Sequence, residues 1–274
     1  MKGLVTTNPV AVGDVVDFEI EPDLQTAVIT HLHQRKNYII RKSINLSKQA
    51  QVIAANLDQA CLVVTLASPR TSLGFIDRFL VTAEAYAIPS ILIFNKLDLF
   101  SEEGKEILAE YMAVYEKIGY PCYAVSALNG DNLDTIKALL TNKTSLFSGH
   151  SGVGKSSLIN QILPGIELRT GVISDFSDSG KHTTTFAEMF ELPFGGKLID
   201  TPGIRELGVI DIEKEELGHF FPEMRQRLNT CKYHNCVHVN EPGCAVLLAL
   251  ENGEIEPSRY DSYMSIYLGN DSRG

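Results

Sequence analysis

The chain has 274 residues, of which 44% are hydrophobic and 21% charged, and its formal net charge is −10. These values are typical of a globular protein with one medium-sized domain and one or two smaller modules. No apolar run is long enough to cross a bilayer and Met1-Lys2-Gly3 opens no secretory signal, which excludes a membrane-spanning protein and predicts a cytoplasmic location.

Residues 1–55 are predicted to form a small antiparallel β-barrel of the OB type, a fold that binds RNA. The stretch 14–20 alternates polar and apolar residues, and residues 27–30 and 37–40 are further β-branched or aromatic runs. Five strands and their turns nearly exhaust this segment. We therefore expect an early hairpin to be absent near Val5-Thr6.

A basic strip lies in the same segment, because no Asp or Glu occurs between Leu24 and Leu57. Its basic residues are Arg35, Lys36, Arg41, Lys42 and Lys48. A local basic strip on an acidic protein can follow a phosphate backbone. A solvated sheet face explains the same pattern equally well.

Residues 58–67 begin a different pattern, with an apolar strand of the kind that is buried on both faces of a parallel sheet. A helix is predicted over 75–87 and a second buried strand over 90–94, which runs directly into Asn95-Lys96-Leu97-Asp98. The Asp98 carboxylate can accept hydrogen bonds from the N1–H and 2-amino groups of guanine, while Asn95 supports the base and the Lys96 stem covers the ring. Adenine would leave that carboxylate unpaired, so the tetrapeptide predicts guanine recognition.

The next predicted strand, 121–125, leads into Ser126-Ala127-Leu128. A backbone N–H in such a loop can contact the guanine O6 atom, so Ser126 and Ala127 are candidate nucleotide contacts. Helices are predicted on either side of this strand, over 103–118 and 132–140.

The strongest signal is the sequence Gly-His-Ser-Gly-Val-Gly-Lys-Ser at 149–156, which fits the phosphate-binding pattern G-x-x-x-x-G-K-[ST]. A short strand-like run precedes it and a helical pattern follows it, a context that disfavours a chance glycine-rich turn. Lys155 is expected to reach the β- and γ-phosphates, and the Ser156 hydroxyl to bind Mg²⁺. The predicted phosphate contacts are Gly149, His150, Ser151, Gly152, Val153, Gly154, Lys155, Ser156 and Ser157, with His150 more a spacer than a ligand.

Residues 169–182 are polar and aperiodic and lead into three threonines, a pattern typical of a switch that orders on a triphosphate. Thr184 is predicted to bind Mg²⁺, with Thr183 as the alternative. Two strands, 186–192 and 197–199, then lead to Asp200-Thr201-Pro202-Gly203. Asp200 is predicted to hold Mg²⁺ through water and the Gly203 N–H to contact the γ-phosphate, since a simple Pro-Gly turn would not require the aspartate.

A cysteine–histidine cluster follows, with the spacing Cys231-x₄-Cys236-x-His238-x₅-Cys244. Three thiolates and one imidazole suit tetrahedral structural zinc with no open position. His234 is a fifth candidate that spacing alone does not exclude. Cys61 and Cys122 lie in apolar runs and are predicted to be buried. The tail beyond the cluster is predicted to be helical, with Arg225, Arg227 and Lys232 as local candidates for RNA contact.

Together these motifs resemble the ribosome small-subunit-dependent GTPase A family (RsgA/YjeQ), in which the base-reading elements precede the phosphate and switch elements. The resemblance implies an α/β, circularly permuted GTPase domain (56–212) between an OB-fold (1–55) and a zinc-binding, mainly helical domain (213–274). It implies a cytoplasmic monomer that binds GTP and GDP, Mg²⁺ with the nucleotide, and one structural Zn²⁺. It favours His238 over His234 as the zinc ligand, and it implies rRNA binding and late maturation of the small (30S) ribosomal subunit, which stimulates GTP hydrolysis.

Ile204 stands where Ras-like enzymes carry a water-orienting glutamine. Because isoleucine cannot hydrogen-bond, we expect slow intrinsic hydrolysis. His182 is the candidate that orients the water, beside Lys155 and Thr184 as catalytic residues; a solvent-exposed loop histidine is the alternative. A GTP-gated RNA-binding scaffold with incidental hydrolysis is the second functional hypothesis, whereas Asn95 and Asp98 argue against a P-loop kinase or ATPase.

Overall fold

The computed structural model describes residues 5–6, 8–21, 26–42, 49–165, 187–201 and 212–269. Along these ranges a β module is followed by an α/β domain and then by a mainly helical module. The central sheet is mostly parallel, which confirms the predicted α/β fold class.

The N-terminal β module contains the first five strands. They are β1 (Val5–Thr6), β2 (Val16–Glu21), β3 (Thr26–Leu32), β4 (Tyr38–Lys42) and β5 (Gln49–Ala55). In the residues described, β5 lies between β1 and β4, while β2 and β3 pair as a separate hairpin. The hairpin leaves Phe18 57% and Ile20 68% exposed. Residues 1–4 and 7 beside the two-residue β1 lie outside the described ranges, so the absence of an early hairpin stays a prediction.

Two members of the basic strip are neutralised by carboxylates from outside it. Arg35 pairs with Asp14 through two hydrogen bonds of 2.7 Å. Lys36 Nζ donates to Asp58 Oδ1 at 2.9 Å, and Asp58 also accepts from the Thr144 N–H at 2.8 Å. The side chains of Arg41 and Lys42 and the whole of Lys48 are not among the residues described. The pairing at Asp58 joins the β module to the central sheet.

The central sheet has the order β10-β11-β9-β6-β7-β8 among the described strands. Its strands are β6 (Gln59–Val64), β7 (Ser90–Phe94), β8 (Cys122–Ala124), β9 (Thr144–Ser148), β10 (Glu188–Glu191) and β11 (Lys197–Asp200). All neighbours are parallel except β10, which runs antiparallel to β11 at the edge. Strands β6 and β7 are completely buried, as their continuous apolar runs predict.

Helices cover both faces of this sheet, because successive side chains of a strand point to opposite faces. The helices are α1 (Leu73–Ala85), α2 (Glu102–Lys117), α3 (Leu133–Leu140) and α4 (Lys155–Ile162). Leu62 and Val64 of β6 pack in one core with α1 and α2. Cys61 and Val63 of the same strand pack in the other core with α3 and α4. The sheet is therefore the middle layer of three, and the ends of its strands are available to form a site.

The C-terminal module consists of α5 (Pro222–Arg225), α6 (Ala245–Glu251), α7 (Pro257–Tyr267) and 3₁₀ turns at Leu217–Phe220 and Leu228–Thr230. Its core contains Phe221, Val246 and Tyr263. Val81 of α1 also belongs to this core, so the module is packed onto a helix of the central domain. In the residues that the structure describes, we find no helix long and apolar enough to span a membrane.

Candidate nucleotide site and metal centre

The phosphate loop connects the carboxyl end of β9 to the first residue of α4, Lys155. Its glycines are required by close approaches of neighbouring backbone and side-chain atoms. A Cβ on Gly149 would lie 2.4 Å from the Val63 carbonyl oxygen, and one on Gly154 would lie 2.4 Å from Asn95 Nδ2. Gly154 also has φ +86°, in the left-handed region that disfavours other residues. The predicted strand–loop–helix context is therefore present.

Asn95 joins the predicted base-reading motif to the phosphate loop. It follows β7, and its side chain is 1% exposed. Asn95 Nδ2 donates to the Val153 carbonyl at 2.8 Å, while Asn95 Oδ1 accepts from the Ala127 N–H at 3.0 Å. One amide thus fixes all three loops relative to each other. The two tracts that the sequence predicts to form one pocket lie together at the carboxyl edge of the parallel sheet.

Asp98 is oriented by Ser126, which lies in the loop after β8. Ser126 Oγ donates to Asp98 Oδ1 at 2.5 Å, and Ser126 is fully buried. The Leu97 N–H donates to the Val125 carbonyl at 3.0 Å, which holds the turn that carries Asp98. The Asp98 carboxylate is therefore held in one orientation at this edge of the sheet.

Lys96 adopts a left-handed conformation with φ 67°, and its ammonium donates to the Ser68 carbonyl in the loop between β6 and α1. The Lys155 ammonium donates to Asp200 Oδ1 at the end of β11, and the two side chains are 10% and 8% exposed. Thr201 Oγ1 donates to the Phe147 carbonyl at 2.9 Å, which fixes the chain beyond Asp200. The structure thus brings Lys155 and Asp200 together beside the phosphate loop.

Several predicted switch and catalytic residues lie outside the described residues. They are His182, Thr183, Thr184, Gly203 and Ile204. Their roles remain predictions.

Sequence reasoning missed the ring that backs the phosphate loop. Phe75, in the first turn of α1, stacks on His150 with ring centroids 3.6 Å apart and planes inclined by 32°. The sequence predicts a helix over 75–87, but no local signal indicates that the loop histidine would be the neighbour of Phe75. His150, interpreted from sequence as a spacer, is therefore held by a side chain of another element.

A candidate metal centre is formed by Cys231, Cys236, His238 and Cys244, whose donor atoms lie within 4.8 Å of one another. His238 Nδ1 is 3.7 Å from Cys231 Sγ and 3.4 Å from Cys244 Sγ. A tetrahedral zinc site with Zn–S and Zn–N bonds of about 2.3 and 2.0 Å has S···N edges of about 3.5 Å. The donor set and its spacing therefore fit a zinc ion. His234 is exposed and is not part of this cluster.

The surroundings of the cluster fix its ligands. Tyr260 and Tyr263 donate to the carbonyls of His238 and Val237 at 2.8 and 2.6 Å. Glu241 accepts three backbone N–H groups of this turn, and these donors outweigh burial and lower the pKa of Glu241. Burial raises the pKa of Cys236 to about 12. Zinc binds the thiolate form of cysteine, so a cation bound here would displace the proton of this group.

Comparisons with known proteins agree with this geometry. A family model described as RsgA GTPase matches residues 32–210. The small ribosomal subunit biogenesis GTPase RsgA of Flavobacterium psychrophilum is 50% identical over 99% of this chain and 84% of its own length. The protein of the same name from Bacteroides fragilis is 52% identical over 97% of this chain and 86% of its own.

Solved structures show the same architecture. YjeQ from Thermotoga maritima has a TM-score of 0.78 at 37% identity, with 97% of this chain and 86% of that chain covered. YloQ, described as a circularly permuted GTPase, has a TM-score of 0.74 at 31% identity, with 100% and 85% covered. The predicted circular permutation and the predicted GTP-hydrolysing activity are confirmed, and the chain belongs to the RsgA GTPase family.

Proposed function

We propose that the chain hydrolyses GTP to GDP and phosphate in late maturation of the small (30S) ribosomal subunit, binding rRNA and being stimulated by that particle. The names of relatives at 50% and 52% identity support the particle as partner. The observation that carries the chemistry is the bridge made by Asn95, which links the guanine-reading turn to the phosphate loop through Val153 and Ala127.

Guanine selection follows from Asp98, held by Ser126. The carboxylate accepts from N1–H and the 2-amino group of the base, while the Lys96 stem lies over the ring. Adenine lacks the 2-amino donor and has a lone pair at N1, so it would leave a desolvated carboxylate unpaired. Such a mismatch is rejected much more strongly than a change in apolar contact.

At the phosphate end, Lys155 exchanges its partner. Its ammonium lies against Asp200, and the more highly charged β- and γ-phosphates would draw it into the loop. Ser156 and Asp200 offer hard oxygen donors that suit Mg²⁺, with Thr184 as the third proposed ligand. Bound there, Mg²⁺ would neutralise charge on the phosphate oxygens. The N–H groups of residues 149–157 and of Gly203 would hold the phosphates, and His182 would orient the attacking water.

The flanking modules are proposed to dock on the particle. We assign an OB-fold to 1–55, the GTPase domain to 56–212 and a zinc domain to 213–274, in a cytoplasmic monomer with one structural zinc. Arg225 and Arg227 pair with Glu84 and Glu254 at 2.7 and 2.9 Å, which leaves them poorly placed for RNA. The third candidate, Lys232, lies over an aromatic ring, with its Nζ 5.4 Å from the centroid of the Tyr233 ring.

The deciding experiment measures GTP turnover with and without purified small ribosomal subunits. We expect slow turnover alone and a large acceleration with the particle, which Lys155→Ala should abolish. Turnover unchanged by the particle would contradict the proposed role, and displacement of GTP by ATP at similar concentration would contradict the guanine assignment. If Lys155→Ala hydrolyses no GTP but the protein still binds the particle and is released from it normally, the scaffold hypothesis would be favoured instead.

A further inference from the structure

The loop between β6 and α1, residues 65–72, lies against the phosphate loop together with the first turn of α1. A Cβ on Gly152 would be 3.3 Å from Pro69 Cδ, so the tip of the phosphate loop rests on this proline. In the first turn of α1, the Phe75 ring packs on the His150 ring, with 3.6 Å between their centroids. The phosphate loop is therefore backed by side chains from a separate element.

This backing loop is itself held in place. The Thr71 N–H donates to the Thr65 carbonyl at 2.8 Å, and the Thr65 N–H donates to Thr71 Oγ1 at 3.2 Å. Ser72 caps α1, accepting the Phe75 N–H on its hydroxyl at 3.3 Å. The position of the Phe75 ring is consequently fixed by the position of α1.

The same helix is clamped by the C-terminal module through a buried charged cluster. Arg259 of α7 donates to Asp77 of α1 at 2.6 Å and to Glu223 of α5 at 2.7 Å, and Arg259 is 1% exposed. Tyr115 of α2 donates to Asp77 at 3.0 Å. A planar guanidinium can reach two carboxylates at fixed angles, which a flexible ammonium cannot do. The cluster therefore fixes the module on α1 in one orientation.

Two further contacts extend this clamp toward the end of α1. Val81 packs in the core of the C-terminal module with Phe221 and Tyr263. Beyond it, Arg225 pairs with Glu84 at 2.7 Å. Phe75 and Asp77 are separated by a rise of only about 3 Å along the helix, so a displacement of the clamp displaces the ring as well.

We propose that α1 is a positioning helix: the C-terminal module holds it at Asp77, and its Phe75 in turn holds His150 and the phosphate loop in the conformation that binds GTP. Phe75 and Arg259 are then positioning residues for the nucleotide, although Arg259 does not touch the loop. The inference rests on the proposed binding of GTP at residues 149–157. It adds that the zinc-containing module contributes to the affinity of that site.

The first test compares Phe75→Leu with Phe75→Tyr by titration of GTP and GDP into the full chain. Leucine keeps an apolar side chain but removes the flat ring, and the lost stacking should weaken both affinities about 2- to 10-fold. Tyrosine keeps the ring and should restore the affinity to within about twofold of the wild type. Equal weakening by both variants, or by neither, would contradict a role for the ring.

The second test changes the clamp. Arg259→Lys keeps the positive charge but removes the planar guanidinium that reaches both carboxylates. With zinc still bound, this variant should weaken GTP binding about 2- to 30-fold. Combined with Phe75→Leu, its effect should be less than additive, because both changes act through one contact. Wild-type affinity in zinc-loaded Arg259→Lys, or full additivity, would overturn the proposal.

A second pair of variants, with smaller changes, provides the test if Arg259→Lys does not fold. Arg225→Ala removes an ion pair with Glu84 of α1, whereas Lys137→Ala removes an exposed ion pair with Asp134 on α3 that does not involve the clamp. Only Arg225→Ala should weaken GTP binding, and the same affinity in both would contradict the clamp. If the wild type itself bound no GTP, the proposed function would fail first and this inference with it.

Discussion

The contacts of the single residue Asn95 explain why the tetrapeptide 95–98 begins with an asparagine. Its amide has one acceptor and one donor end, and the structure uses both, on Ala127 and Val153. An aspartate could accept from Ala127 but would place a carboxylate oxygen against the Val153 carbonyl, at a position with 1% exposure. An asparagine is therefore required here by two backbone groups, those of Ala127 and Val153, which are 26 residues apart in the sequence.

The first prediction concerns Asp98→Asn. The amide would present an N–H to the donors of guanine, so we expect GTP affinity to fall at least about 10- to 100-fold. Xanthosine triphosphate, with an oxygen in place of the 2-amino group, should bind the variant better than GTP does. Competition titrations with GTP, xanthosine triphosphate and ATP measure this. Asp134→Asn, at a fully exposed side chain on α3, is the control and should leave all three affinities unchanged.

The second prediction compares Gly154→Ala with Gly165→Ala. Both positions have positive φ, +86° and +107°, but only at Gly154 would the new methyl collide with Asn95, since nothing lies within 4 Å at Gly165. Gly165→Ala should cost about 1–2 kcal/mol from backbone strain alone. Gly154→Ala should cost more and also abolish tight GTP binding. Urea unfolding and nucleotide titration measure the two effects, and equal losses in both variants would contradict the steric argument.

At the scale of elements, helix α1 belongs to two cores at once. Phe79 and Leu80 pack against the sheet, while Val81 packs in the C-terminal module. A helix usually buries one apolar stripe, and the polar remainder faces water. Here Asp77 is buried instead, and burial raises its pKa although Arg259 opposes the shift. The buried aspartate of α1 is explained by a partner 182 residues away.

The third prediction concerns the β module, in which Asp14 pairs with Arg35. Burial alone would raise the pKa of Asp14, but the hydrogen bonds from Arg35 and Ala11 outweigh it, so the pKa is lowered from 3.8. A carboxyl with a lowered folded-state pKa stabilises the protein above its unfolded value and loses that contribution as the pH falls. Stability should therefore decline with acidification below about pH 4. Thermal unfolding of Asp14→Asn over the same range should show a smaller decline, and an identical one would contradict this origin.

At the scale of the whole molecule, the C-terminal module depends on its metal ligands for a core. Cys236 and Cys244 lie in its hydrophobic cluster beside Phe221 and Val246. Such a small module buries little apolar surface on its own, and metal binding can supply the missing free energy of folding. Because the module is also packed onto α1, we expect its loss to destabilise the central domain.

The fourth prediction compares His238→Ala with His234→Ala. His238 is buried in the cluster, whereas His234 is exposed outside it. We expect His238→Ala to lose bound zinc and to lower the midpoint of thermal unfolding, and a chelator to do the same to the wild type. His234→Ala should keep about one zinc per chain and an unchanged midpoint. Zinc retained by His238→Ala and lost from His234→Ala would reverse the ligand assignment.

Local periodicity predicted the central elements closely. The helix expected over 103–118 is observed at Glu102–Lys117, and the one expected over 75–87 at Leu73–Ala85. The basic strip shows the opposite case, because Asp14 and Asp58 neutralise Arg35 and Lys36 from outside the stretch. Charge along the chain does not reveal which carboxylates lie nearby after folding.

The sequence by itself determined the motifs, their permuted order and the donor types of the metal centre, since these depend on residue identity and short spacing. Tertiary structure decided that His238 and not His234 joins the cysteines, that Phe75 backs His150, and that Arg259 clamps α1. Each of these depends on the relative placement of separate elements. That placement is fixed by packing across the whole core, and no local pattern encodes it.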